Sequence, residues 1–279
     1  LNCRRTALEH FHVSWKHKNA LVFCFYAFSS REPESTSVEN ALEHFPLEGV
    51  TAEVAVMHGK TRLVLAVLAA TALSLAFVDR PLATFAFQHW HGDRPIFAPL
   101  TRLVDGVEVL AAAGLICAGV RSARGIALGP RGVTMLRVSL AVFVALGVKD
   151  LAKTAFGRTW PETWTCGNPS FITDHVFGFS PFHGGAGYAS FPSGHETVVA
   201  AFAAALWVLT PRFRWASIAA MLIVAIGLLG ADYHWLSDIL AGGLLGWLVG
   251  VFVAGAFSSE VDTGSREENA TKQEAGAPI

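Results

Sequence analysis

Residues 231–257 read ADYHWLSDILAGGLLGWLVGVFVAGAF. From Ile239 onward this stretch holds no ionisable side chain, and as a helix it is long enough to approach the span of a hydrocarbon layer about 30 Å thick. Gly242, Gly246 and Gly250 recur at every fourth position and form a small-residue stripe on which a neighbouring helix can lie closely. Immediately before the apolar run stand Asp232, His234 and Asp238, ionisable groups at the edge of a phase that excludes them. His234 and Asp238 are four residues apart and share one helix face. The carboxylate can then take the proton of one imidazole nitrogen and leave the other as nucleophile or base.

The same succession of apolar run and polar border recurs through the chain. Stretches 63–78, 104–120, 136–148, 197–210 and 215–231 join 239–257 as candidate spans. Composition agrees, since 52% of the 279 residues are hydrophobic and 15% charged, too apolar for an ordinary soluble domain. The expected fold is all-α, a six-span transmembrane helical bundle over 57–257. A net charge of -1 with dispersed arginines excludes a nucleic-acid partner. The cysteines Cys3, Cys24, Cys117 and Cys166 lack any metal-ligand spacing, so neither a zinc site nor a structural disulfide is expected.

Residues 1–56 carry scattered histidines and glutamates, and the first methionine is Met57. They are read as a non-native or disordered extension. A competing reading makes them a signal peptide, because Arg4, Arg5, Lys16 and Lys18 precede the apolar run 20–28. Cleavage there inverts every later loop against the charge bias. The polar tail 258–279 is expected to be disordered.

Lysine and arginine are retained on the cytoplasmic side of short loops. Lys60 and Arg62 precede the first span, Arg121, Arg124 and Arg131 separate the second from the third, and Arg212 and Arg214 separate the fourth from the fifth. The segments 79–103, 149–196 and 232–238 then face outward. The expected location is a bacterial inner membrane, with the chemistry on its periplasmic side.

Two further polar clusters border these spans. In KDLAKTAFGRTWPETW, residues 149–164, Lys149 and Lys153 share a helix face and stand near Arg158. Alone, such lysines read as snorkelling anchors. In FPSGHE, residues 191–196, Pro192 and Gly194 make a turn and Ser193 caps the following helix, whose free amides form an anion site with His195 in its first turn. Cations, amides, a histidine held in one tautomer and an acid are the parts that phosphoryl transfer needs.

In this order the clusters resemble the type 2 phosphatidic acid phosphatase superfamily, which shares its site with bacterial non-specific acid phosphatases and vanadium haloperoxidases. The family pattern is a lysine, six intervening residues and Arg-Pro, then PSGH, then Ser-Arg followed by a histidine and an aspartate spaced as here. Lys153, Pro161, the whole of PSGH at 192–195, His234 and Asp238 match it. Trp160 stands where the family has the arginine before proline, and Leu228 where it has the arginine six before the nucleophilic histidine.

The resemblance implies that His234 attacks phosphorus to form a phosphohistidine, that Asp238 orients it, and that His195 protonates the leaving oxygen. Lys153, Arg158, Ser193 and the amide of Gly194 are implied to hold the oxyanions, with Arg158 and Lys149 making up for the missing arginines. No cofactor or metal is implied. His89, His91 and Asp93 could ligate a metal but have no spacing that fixes a geometry, so no metal site is expected there. The glycine-rich HGGAGYAS, residues 183–190, lacks the strand context of a nucleotide loop and reads as a loop folded over the site. The expected partners are a lipid phosphate substrate and membrane lipids. An enzyme of small soluble phosphoesters, a non-catalytic lipid-binding or transport scaffold, and a haloperoxidase are the other readings.

Overall fold

The computed structural model describes residues 61–163 and 167–256. The expected extension 1–56 and tail 258–279 lie outside the described residues. The chain divides into two compact units, Leu1–Ala72 and Leu73–Ile279. In the first, the described residues 61–72 are helical.

In the second unit a π-helical turn, Ser74–Val78, leads into α1 (Asp79–Trp90), and α2 (Arg94–Thr101) and α3 (Leu103–Ala123) follow. Then come α4 (Pro130–Phe156), α5 (Gly194–Leu209), α6 (Arg214–Gly230) and α7 (Leu236–Ala256). Local chemistry sets these ends. Pro130 opens α4 after the extended Gly129, a position whose amide needs no helical partner. Gly157 closes α4 in the left-handed conformation, at φ 60°, and its N–H bonds the carbonyl of Lys153. Any side chain there would meet the carbonyl of Ser180 at 1.9 Å. Ser193 caps α5, its hydroxyl accepting from the amide of Glu196.

The all-α expectation holds, since the described residues contain only isolated β-bridges. Four helical stretches, Thr61–Ala123, Pro130–Phe156, Pro211–Gly230 and Leu236–Ala256, are long and apolar enough to cross a membrane, against the six expected. Two of the expected runs, 63–78 and 104–120, fall in the first of these. A third, 197–210, falls in α5, whose 16 residues are short of a full crossing. With these spans the chain is an integral membrane protein.

Helix α5 is the axis of the second unit. Its Val198, Val199, Ala200, Ala201, Ala203, Ala204 and Ala205 are fully buried, and α4, α6 and α7 pack around it. The glycine stripe of α7 lies on it. A Cβ at Gly242 would meet the carbonyl of Ser193 at 2.5 Å, one at Gly246 that of Thr197 at 2.0 Å, and one at Gly250 that of Ala201 at 2.4 Å. The backbones are thus as close as glycine alone permits.

Candidate active site

The start of α7, the start of α5 and the end of α4 meet, and described residues of the segment 157–193 fold onto them. The amide of Ser193 donates to the carbonyl of Asp238 at 3.0 Å, which ties the PSGH turn to the first turn of α7. Gly194 lies against the stems of Lys149 and Lys153, because a Cβ there would be 3.2 Å from Cδ of Lys149 and 3.4 Å from Cε of Lys153. The two lysines and the PSGH turn, far apart in sequence, therefore form one cradle.

Asp238 is the centre of the hydrogen-bond pattern. Its Oδ2 accepts from Nδ1 of His234 at 3.2 Å, from the hydroxyl of Ser190 at 2.5 Å and from the amide of Trp235 at 3.3 Å. Its Oδ1 accepts from Nη1 of Arg158 at 2.5 Å. A carboxylate only accepts, so Nδ1 of His234 carries the proton and Nε2 keeps its lone pair. Burial holds the imidazole below its ordinary pKa of 6.5, and the bond and charge of Asp238 work the other way. His195 stands in the first turn of α5, where burial, reinforced by the charges of His234, Lys153 and Lys149, pushes its imidazole down to about 3, so a bound phosphate dianion has to raise it before it can give a proton.

The loop residues complete the enclosure. Lys153 donates to the carbonyl of Ala189, and Nε1 of Trp160 donates to the carbonyl of Ala186 at 2.8 Å. The glycine-rich segment 183–190 is thereby held over the lysine end of the site. Trp160 lies 5.0 Å from the His234 ring and 5.6 Å from Nζ of Lys153, measured to ring centroids. The indole thus forms a wall where the sequence pattern has a cation.

Several expected residues stand elsewhere. Arg158, expected at the phosphate, is wholly buried, and its terminal nitrogens are given to Asp79, Asp238 and Ser237. Leu228 is fully buried in the core with Val104, Val142, Val198, Val224 and Ile239. His89 bonds the carbonyl of Phe85 and stacks on its ring, while His91 faces Glu162 at 3.5 Å. Among the described residues no group of three or more His, Cys, Asp or Glu is arranged to hold an ion.

The sequence assigned no role to Asp79, Ser190 and Ser237, and did not join Asp232 to its neighbours Arg94 and Glu162. Nη1 of Arg94 donates to Glu162 at 3.2 Å. Burial, reinforced by the charge of Glu162 and opposed by that of Arg94, pushes Asp232 up to about 7. The signal available for Asp79 was a lone carboxylate ending the apolar run 63–78.

Residues 134–261 match the PAP2 superfamily. Over 93 residues the chain is 40% identical to a protein of Rhizobium etli named lipid A 1-phosphatase, a match covering 33% of this chain and 37% of the relative. A lipid A 1-phosphatase of Rhizobium johnstonii is 39% identical over 93 residues, covering 33% of this chain and 35% of the relative. The chain thus spans a little over a third of the length of the curated relatives it matches. The crystal structure of a transmembrane PAP2-type phosphatidylglycerolphosphate phosphatase from Bacillus subtilis aligns with a TM-score of 0.41 and 17% identity, over 71% of this chain and 96% of that one. Lys153, the PSGH turn, His234 and Asp238 all fall inside residues 134–261, the segment that is similar to the PAP2 superfamily.

Proposed function

We propose that this protein is a membrane phosphatase that hydrolyses a lipid phosphate or diphosphate through a phosphohistidine on His234. The observation that carries the reading is the Asp238-held imidazole of His234 joined to a cradle of Lys153, Ser193 and Gly194. Nε2 of His234 attacks phosphorus, the bond from phosphorus to the ester oxygen breaks, and His195 gives that oxygen a proton. Lys153, the hydroxyl of Ser193 and the amide of Gly194 hold the oxyanions in the transition state. Water, losing its proton to His195, then attacks phosphorus, breaks the P–N bond and releases phosphate. These residues supply every part of the displacement, so the reaction is proposed to proceed without a metal.

The helix ends that carry the site border an apolar phase, which suits a substrate whose tail stays in the bilayer. The relatives' name makes the 1-phosphate of lipid A the first substrate to try. The arginine bias of the loops after α3 and α5 supports a bacterial inner membrane, with the site on its periplasmic face.

The test is phosphate release by the detergent-purified protein from lipid A, other lipid phosphates and diphosphates, and short-chain soluble phosphoesters, with chelator present. Turnover of long-chain substrates that disappears in His234→Ala is the expected result. Preference for the soluble esters overturns the lipid assignment, and a folded protein inert toward the whole panel overturns the enzymatic one.

A further inference from the structure

The buried chain Asp79, Arg158, Asp238 and His234 lies behind the imidazole, on the side away from Nε2. Arg158 donates from Nη2 to Oδ2 of Asp79 at 2.7 Å and from Nη1 to Oδ1 of Asp238 at 2.5 Å. All three side chains are buried to 1% exposure or less. Asp79 is itself fixed, accepting from the hydroxyl of Ser74 and from the amide and hydroxyl of Ser237 at 2.8, 3.0 and 2.5 Å. The rings of Phe177, Phe179 and Trp235 surround the guanidinium at 5.0 to 5.2 Å. Both terminal nitrogens of this caged and buried cation are turned to protein acceptors rather than to the cradle of Lys153 and the PSGH turn.

We infer that Arg158 and Asp79 are positioning residues that act on the reaction through Asp238. One guanidinium is shared between two carboxylates, so it locks Asp238 in place without cancelling its charge. Asp79 takes part of the cation, and Asp238 stays a strong acceptor for the Nδ1 proton of His234. The inference rests on the phosphatase reading above for its catalytic consequence, but the tautomer of His234 can be read without turnover. The other charged groups facing the imidazole are Lys153 and His195, and Asp232 lines the same small cavity as Asp79 and His234.

The experiment uses full-length wild type, Asp79→Asn and Arg158→Lys in detergent, each shown to be folded by thermal unfolding. Three quantities are read: the ¹⁵N resonances of the His234 ring, assigned by their loss in His234→Gln; kcat and KM on the best lipid phosphate; and inhibition by inorganic phosphate. Asp79→Asn leaves the whole guanidinium charge on Asp238 and weakens its bond to His234. The expected results are a mixed tautomer, a kcat lower by about tenfold, an acid limb of the pH–rate profile moved to lower pH, and unchanged phosphate inhibition. Should Arg158→Lys weaken phosphate inhibition while Asp79→Asn leaves the ring resonances of His234 as in wild type, Arg158 is an oxyanion contact and the inference is overturned. If Arg158→Lys does not fold, Asp79→Asn decides alone. A wild type inert toward every lipid phosphate ends the phosphatase reading, yet the ring resonances still decide this one.

Discussion

At the scale of single residues, two histidines that a generic anion site would treat alike have different surroundings. His234 is buried and oriented through Nδ1, whereas His195 is half-buried in the first turn of α5. If His195 is the acid, His195→Ala lowers turnover of a lipid monoester by roughly 10²- to 10⁴-fold. A nitrophenyl phosphate, which leaves as a stabilised anion, suffers far less, and the ratio of the two losses is the measurement. Equal losses would assign His195 to phosphate binding. Asp232 gives a second prediction. Its folded pKa of about 7 lies above the ordinary 3.8, so its contribution to stability is complete below pH 3.8 and is lost as pH rises through 7. Asp232→Asn removes that loss and suits the φ of 54°. Its melting temperature should match wild type near pH 4 and exceed it by a few degrees at pH 8. His234, Asp238, Lys153 and the PSGH turn were legible because short spacings carry them. Asp79 was not, since its partners Arg158 and Ser237 are 79 and 158 residues away in sequence.

At the scale of elements, the seam between α5 and α7 follows from glycines that sequence spacing already marked. Gly246→Ala places a methyl group 2.0 Å from the carbonyl of Thr197 and forces the helices apart. A loss of about 1–3 kcal/mol in stability is expected, read as a lower melting temperature, together with lower turnover because His195 and Asp238 sit at the ends of these two helices. Gly255→Ala, with nothing within 4 Å of the new atom, is the control and should change neither. Leu228 tests the converse. An arginine there enters a core without a carboxylate partner, so Leu228→Arg should cost several kcal/mol and deplete folded protein. Recovery of a folded, more active variant would show that the position does open onto the phosphate. The count of spans turns on the same packing at α5. Hydropathy records that α5 is apolar but not whether lipid or protein is its neighbour, and here the neighbour is protein on nearly every side.

At the scale of the whole molecule, orientation decides which pool of substrate is reached. Reporter fusions after Arg124 and Arg214 should report cytoplasm, and fusions after Asp93 and Asp174 the opposite side. The reverse pattern would put the site on the cytoplasmic face. The arginines behind this expectation lie at helix ends and in the short connections between them, and were plain in the sequence. What lies over the site was less so, because the segment 183–190 is held by carbonyl contacts to Lys153 and Trp160 that no composition reveals. The glycine seam also bears on how the protein is made. Helix α7 is synthesised after α5, and of the proposed catalytic pair His234 lies just before it and Asp238 in its first turn. Packing of α7 on the bare backbone of α5 is what brings His234 and Asp238 against the PSGH turn, so on the proposed mechanism catalytic competence waits for the docking of this helix.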